Sequence, residues 1–158
     1  MRTLLAFGLA LTLAACGDPP ESGETADVDD AVVSTNFLGL DEAYARAAPA
    51  GGTSAVYLRI ENSMPEADTL VGVRTDAAGV VEIHRTEDVG EGQTGMVPVV
   101  GGVPVPAGET VALEPGGLHV MLLDLQRDLT VGDSLDLEVE FAGRGVLPMR
   151  APVRGLGR

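Results

Sequence analysis

The 158-residue chain has no tryptophan, no lysine, a single cysteine and two histidines, and aromatic residues make up only 3% of it. Each scarcity excludes something. With so few rings available, Val, Leu and Ala must fill the interior, which favours many short strands over a few bulky packing anchors. Ten arginines stand against 24 acidic residues, a formal charge of −14. That balance repels a phosphate backbone and leaves little for counterion release, so nucleic acid is not an expected partner. One cysteine cannot form an internal disulfide, and Cys16 lies ahead of any foldable segment. The domain that follows therefore has no disulfide framework, no cysteine nucleophile and no thiolate for a blue-copper electron-transfer centre.

What is present begins with Met1-Arg2 and an apolar run over residues 4–15. The run is short for a membrane span and has the charged and apolar regions of a secretory signal. It ends in Leu13-Ala14-Ala15-Cys16, which resembles the lipobox of bacterial lipoproteins. The expectation is a signal peptide over 1–15 and lipid on Cys16, with an ordinary signal peptide and an incidental cysteine as the plainer alternative. Six acids and no basic residue fall between Asp18 and Asp30. Such a segment cannot bury enough apolar surface to offset its ordering entropy, so residues 16–30 read as an acidic tether. The folded domain is expected over 31–158.

Within that domain strand signals dominate. Asp41-Glu42-Ala43-Tyr44-Ala45-Arg46 predicts one or two helical turns, stopped by Pro49 and the Gly51-Gly52 pair. Strands are expected over 54–61, 69–74, 79–84, 95–100, 110–113 and 118–125, with the stretch from Gly101 through Gly108 read as turns. Leu135, Leu137, Val139 and Phe141 alternate with Asp136, Glu138 and Glu140, the clearest half-buried strand in the chain. A last strand over 145–153 closes the set. About eight short strands with no βαβ pattern indicate an all-β sandwich or barrel.

In a strand, His119 and Met121 share a face while Val120 and Leu122 take the other. Imidazole suits several transition metals, but thioether sulfur favours Cu(I). The second histidine, His84, ends another apolar run, and Met96 follows it after eleven intervening residues; twenty-two more precede His119. Convergence of His84, Met96, His119 and Met121 would make a soft metal site. Taken singly, each has a duller explanation, a core methionine or a hydrogen-bonded structural histidine.

These positions resemble the motif of the periplasmic copper chaperones called PCuAC, in which a histidine is followed about a dozen residues on by a methionine and, twenty-odd later, by His-x-Met. The likeness runs from about residue 43 to 153, through Tyr57-Leu58-Arg59-Ile60-Glu61-Asn62, Asp68-Thr69-Leu70 and Leu113-Glu114-Pro115-Gly116-Gly117-Leu118-His119. It implies a cupredoxin-like, immunoglobulin-like β-sandwich on the periplasmic side of the envelope, and the lipobox at Cys16 adds the expectation that a lipid anchor holds it to the membrane. It also implies a Cu(I) cargo and delivery to a copper-centre subunit of cytochrome c oxidase or exchange with a second copper chaperone. Arg85 stands where many members have methionine, which would put a cation near the metal in place of a sulfur.

Other readings compete. Ser54, Ser63 or Ser134 could join a histidine and an acid in a hydrolase, but no Gly-x-Ser-x-Gly elbow occurs, and no enzyme is expected. Zinc could be held by His84, His119 and Glu82 or Glu87, although Glu82 reads more simply as a solvated surface carboxylate. A structural lipoprotein that docks on another envelope protein is the third. Met64 and Met149 fall in a turn and a closing strand, where core or surface roles suffice.

Overall fold

Alternation of apolar and polar side chains carries into space as a double-layered β-structure. The structure, a computed structural model, describes residues 37–155. The expected signal peptide, Cys16 and the expected acidic tether lie outside the described residues. Among those described there is no helix, and the strands are β1 Leu38–Arg46, β2 Ser54–Asn62, β3 Asp68–Arg74, β4 Ala78–Gly90 and β5 Gln93–Pro98, then β6 Val103–Val105, β7 Thr110–Leu113, β8 Leu118–Leu125, β9 Ser134–Phe141 and β10 Gly145–Arg154.

Their order is β5-β4-β8-β7-β2-β1-β10-β9-β3-β6, with β8 also paired to β2. Strand β10 is the seam: Gly145 to Pro152 runs antiparallel to β9, and Val153 and Arg154 at its end run parallel to Ala45 and Arg46 of β1. The continuous sheet thereby folds into two faces around one core. Val56, Leu58 and Ile60 of β2 and Val120 and Leu122 of β8 join Leu70 of β3 and Leu135, Leu137, Val139 and Phe141 of β9 in a single buried cluster. The acids of β9 alternate outward, and Arg150 forks onto Asp136 there through Nε and Nη2 at 2.7 and 3.3 Å.

Three expectations need correction. Residues 41–46 are not helical but belong to β1, paired with β2 from Leu38↔Asn62 to Ala45↔Val56. Their helix propensity yields to the ladder and to burial of the small Ala43 and Ala45 on the core side. Glu42, at φ 51°, marks the register shift between Asp41 and Tyr44, the left-handed geometry that a bulge tolerates. The strand expected to end at His84 continues to Gly90, because β5 pairs with its polar end. Glu91 and Gly92, both at positive φ, close that hairpin in a two-residue turn. Finally, Val103 and Val105 form a strand where turns were expected, giving ten strands rather than about eight. Both valines are buried against β3, and Pro104 points outward on a sheet edge, where its missing N–H costs nothing.

Candidate metal site

The pairing of β4 with β8 decides where the chemistry sits. Ile83↔Val120 faces the core, so the flanking pairs His84↔His119 and Glu82↔Met121 face away from it. His84 and His119 are thus direct cross-strand partners with ring centroids 6.0 Å apart. On the other side of β4, Thr86 pairs with Met96 of β5, which brings that methionine to the same face. All four residues of the sequence motif therefore stand on three adjacent strands, facing one way.

Both histidine rings are buried, and each is held at one nitrogen. His84 Nε2 donates to Glu82 Oε2 at 2.8 Å, and His119 Nδ1 donates to the Gly117 carbonyl at 3.1 Å. The opposite nitrogens, His84 Nδ1 and His119 Nε2, are buried without any hydrogen-bond partner. Buried polar atoms are rarely left so, and each unmade bond costs about 1–3 kcal/mol. An imidazole nitrogen with its lone pair free and its ring locked by the other nitrogen is the form a metal requires.

Beside His119 opens a cleft of about 450 Å³ lined by Met96, His119 and Met121 together with Thr86, Tyr57 and the Pro115-Gly116 turn; His84 is not among its lining residues and meets the site through its cross-strand partner His119. Met96 is 59% exposed at its lip. The turn that orients His119 is itself pinned: Glu114 N donates to the Leu118 carbonyl, and Gly117 O also accepts from Thr86 N. Gly116, at φ 82°, occupies a conformation that side chains other than glycine's resist. Tyr57 packs beside His119 at 6.4 Å between centroids and beside Tyr44 at 5.0 Å, and Arg154 lies over the Tyr44 ring.

Several sequence readings change here. Arg85 does not enter the site; the pleat turns it to the opposite face, where Nη1 lies 3.6 Å from Glu87 Oε1. Thr86 shares the face of His84, and the same i, i+2 alternation that pairs His119 with Met121 identifies it from the sequence. Glu82 is more than a solvated carboxylate, since it bonds His84. Among the described residues no three or more of His, Cys, Asp and Glu cluster as a metal site. Of the serines weighed for catalysis, Ser54 lines the cleft with its Oγ donating to the Arg46 carbonyl, Ser63 Oγ donates to Glu61, and Ser134 is exposed at the start of β9. Met149 packs against the core from β10, and Met64 lies in the turn after β2.

With this geometry in hand, the chain can be set beside known proteins. Residues 38–153 match the family described as "Putative lipoprotein LpqE-like". A curated relative, "Putative lipoprotein Lxx21020" of Leifsonia xyli subsp. xyli, is 30% identical over 115 residues, which span 73% of this chain and 68% of that protein. Among solved structures, the apo PCuAC domain from PmoF1 is similar at a TM-score of 0.62 and 26% identity, over 75% of this chain and 93% of that one. The Cu(I) form of DR1885 from Deinococcus radiodurans is similar at 0.56 and 26%, over 77% and 83%.

Proposed function

The chain belongs to the LpqE-like lipoprotein family and has the PCuAC cupredoxin-like fold, and on that premise we propose that it is a copper chaperone that holds Cu(I) through His84, Met96, His119 and Met121. The observation that carries this reading is the pair of buried, partnerless nitrogens, His84 Nδ1 and His119 Nε2, on facing strands. Two imidazoles with two thioethers form a soft, uncharged donor set suited to a monovalent soft ion. Zinc gains little from methionine and prefers carboxylate or thiolate partners; the Glu82 carboxylate is engaged with His84 Nε2, and among the described residues no three of His, Cys, Asp and Glu form a group that could hold a metal. The copper form of a similar domain supports the same cargo.

The role is carriage rather than catalysis. Thioether bonds are weak enough to be exchanged, and an exposed Met96 at the cleft lip gives an acceptor a first point of attack. Acylation of Cys16 would tether the domain to the membrane on the periplasmic side. Copper centres of respiratory oxidases, or a second chaperone serving them, are the acceptors we propose.

Competition against a chromogenic Cu(I) chelator under reducing conditions tests the reading, with Zn(II) titrated in parallel. One Cu(I) bound per chain, in preference to Zn(II), is expected. Failure to compete for Cu(I), with Zn(II) bound instead, would transfer the site to zinc; failure with both would leave a structural lipoprotein.

A further inference from the structure

The bond between Glu82 and His84 has no part in the reading above, yet it determines which nitrogen is free. Glu82 lies two residues before His84 on the same face of β4, with Oε2 2.8 Å from His84 Nε2. An ionised carboxylate only accepts, so the ring donates and the hydrogen belongs on Nε2. The lone pair then sits on Nδ1, the atom left buried and partnerless. At His119 the arrangement is reversed, because the Gly117 carbonyl takes the Nδ1 hydrogen and Nε2 is the bare atom.

We infer that Glu82 is a positioning residue, holding His84 so that it takes up copper through Nδ1 while His119 takes it up through Nε2. This rests on the copper reading and adds to it the coordinating atoms. The two histidines are direct cross-strand partners, yet one ring is held by a carboxylate on its own strand and the other by a carbonyl of the β7–β8 turn, so opposite nitrogens are left free. Glu82 reaches the buried ring from a part-exposed position: its side chain is 43% exposed, that of His84 9%. It stands opposite Met121 in the ladder between β4 and β8. A hydrogen-bonded carboxylate also raises the donor strength of the ring it holds.

The test uses the full chain labelled with ¹⁵N-histidine, which has only two imidazoles to resolve. In the metal-free protein, long-range ¹H–¹⁵N spectra are expected to show His84 as the Nε2–H form and His119 as the Nδ1–H form. Cu(I) should then move the shifts of His84 Nδ1 and His119 Nε2. E82A should lose the slowly exchanging His84 Nε2–H signal and weaken Cu(I) binding by roughly 10- to 100-fold, the usual effect of removing such a partner. E82Q, whose amide oxygen still accepts, should restore the signal and most of the affinity. Copper binding in the wild type through His84 Nε2, wild-type affinity in E82A, or E82Q as weak as E82A would each overturn the positioning role and leave the copper reading standing. If Cu(I) moves neither imidazole, both fall.

Discussion

His84 and His119 face each other across β4 and β8 as direct cross-strand partners, their ring centroids 6.0 Å apart and each with one buried nitrogen free of any hydrogen bond. On the proposed copper reading, the facing pair would set the metal's position and the methionines to either side its identity. Replacing Met96 and Met121 together with leucine should therefore weaken Cu(I) binding and leave Zn(II) binding nearly unchanged. The apo fold should survive, because Met-to-Leu exchange roughly conserves volume and usually costs less than about 1.5 kcal/mol. Chelator competition and thermal melting of the apo protein measure the two effects. Unaltered Cu(I) affinity would make the methionines packing residues and end the copper assignment.

Side-chain alternation on β4 separates two substitutions that sequence proximity makes look alike. Thr86 lines the cleft opposite Met96, whereas Arg85 points to the other face beside Glu87. Thr86→Met should add a sulfur donor and tighten Cu(I) binding several-fold. Arg85→Met should leave it within about twofold, since its sulfur cannot reach the site and an exposed charge is largely screened by solvent and salt. Tighter binding by the Arg85 variant alone would mean that the face assignment of β4 is wrong.

Asn62 ties the end of β2 to the β6 segment. Its side chain is fully buried, with Nδ2 donating to the carbonyls of Glu66, Val105 and Pro106 at 3.0 to 3.1 Å and Oδ1 accepting from Met64 N. Asn62→Ala strands those groups, and each buried group left unmade costs about 1–3 kcal/mol. Urea unfolding should show a lower midpoint with an unchanged slope. A midpoint equal to the wild type's would mean that water replaces the amide without loss. Copper affinity should not change, because Asn62 is not among the residues that line the cleft.

Lipidation makes a prediction about the whole protein. With Cys16 acylated, the chain should partition with membranes, and Cys16→Ser should release or misprocess it, since stable anchoring needs more than one acyl chain. Cell fractionation decides. Wild-type protein found wholly in the soluble fraction would dispose of the anchor.

Much was determined by the sequence alone, wherever the determinant was local. The strict alternation of residues 135–141 already made β9, and the Leu118-to-Leu122 pattern already set His119 and Met121 on one face, because the strand period is two whatever the partner. The scarcity of cysteine and the spacing of the four motif residues point by themselves to a soft His/Met site. Tertiary structure decided the rest. Residues 41–46 have a helical composition yet lie in β1, because the ladders to β2 and β10 satisfy their backbone and the core takes Ala43 and Ala45. Which histidine nitrogen is free is likewise invisible in a sequence: it depends on a carboxylate two residues back and on the carbonyl of a turn that glycine shapes. Register made the final choice. A one-residue slip between β4 and β8 would send His84 and Thr86 to the core and Arg85 to the cleft, and it is burial of Ile83 against Val120 that forbids it.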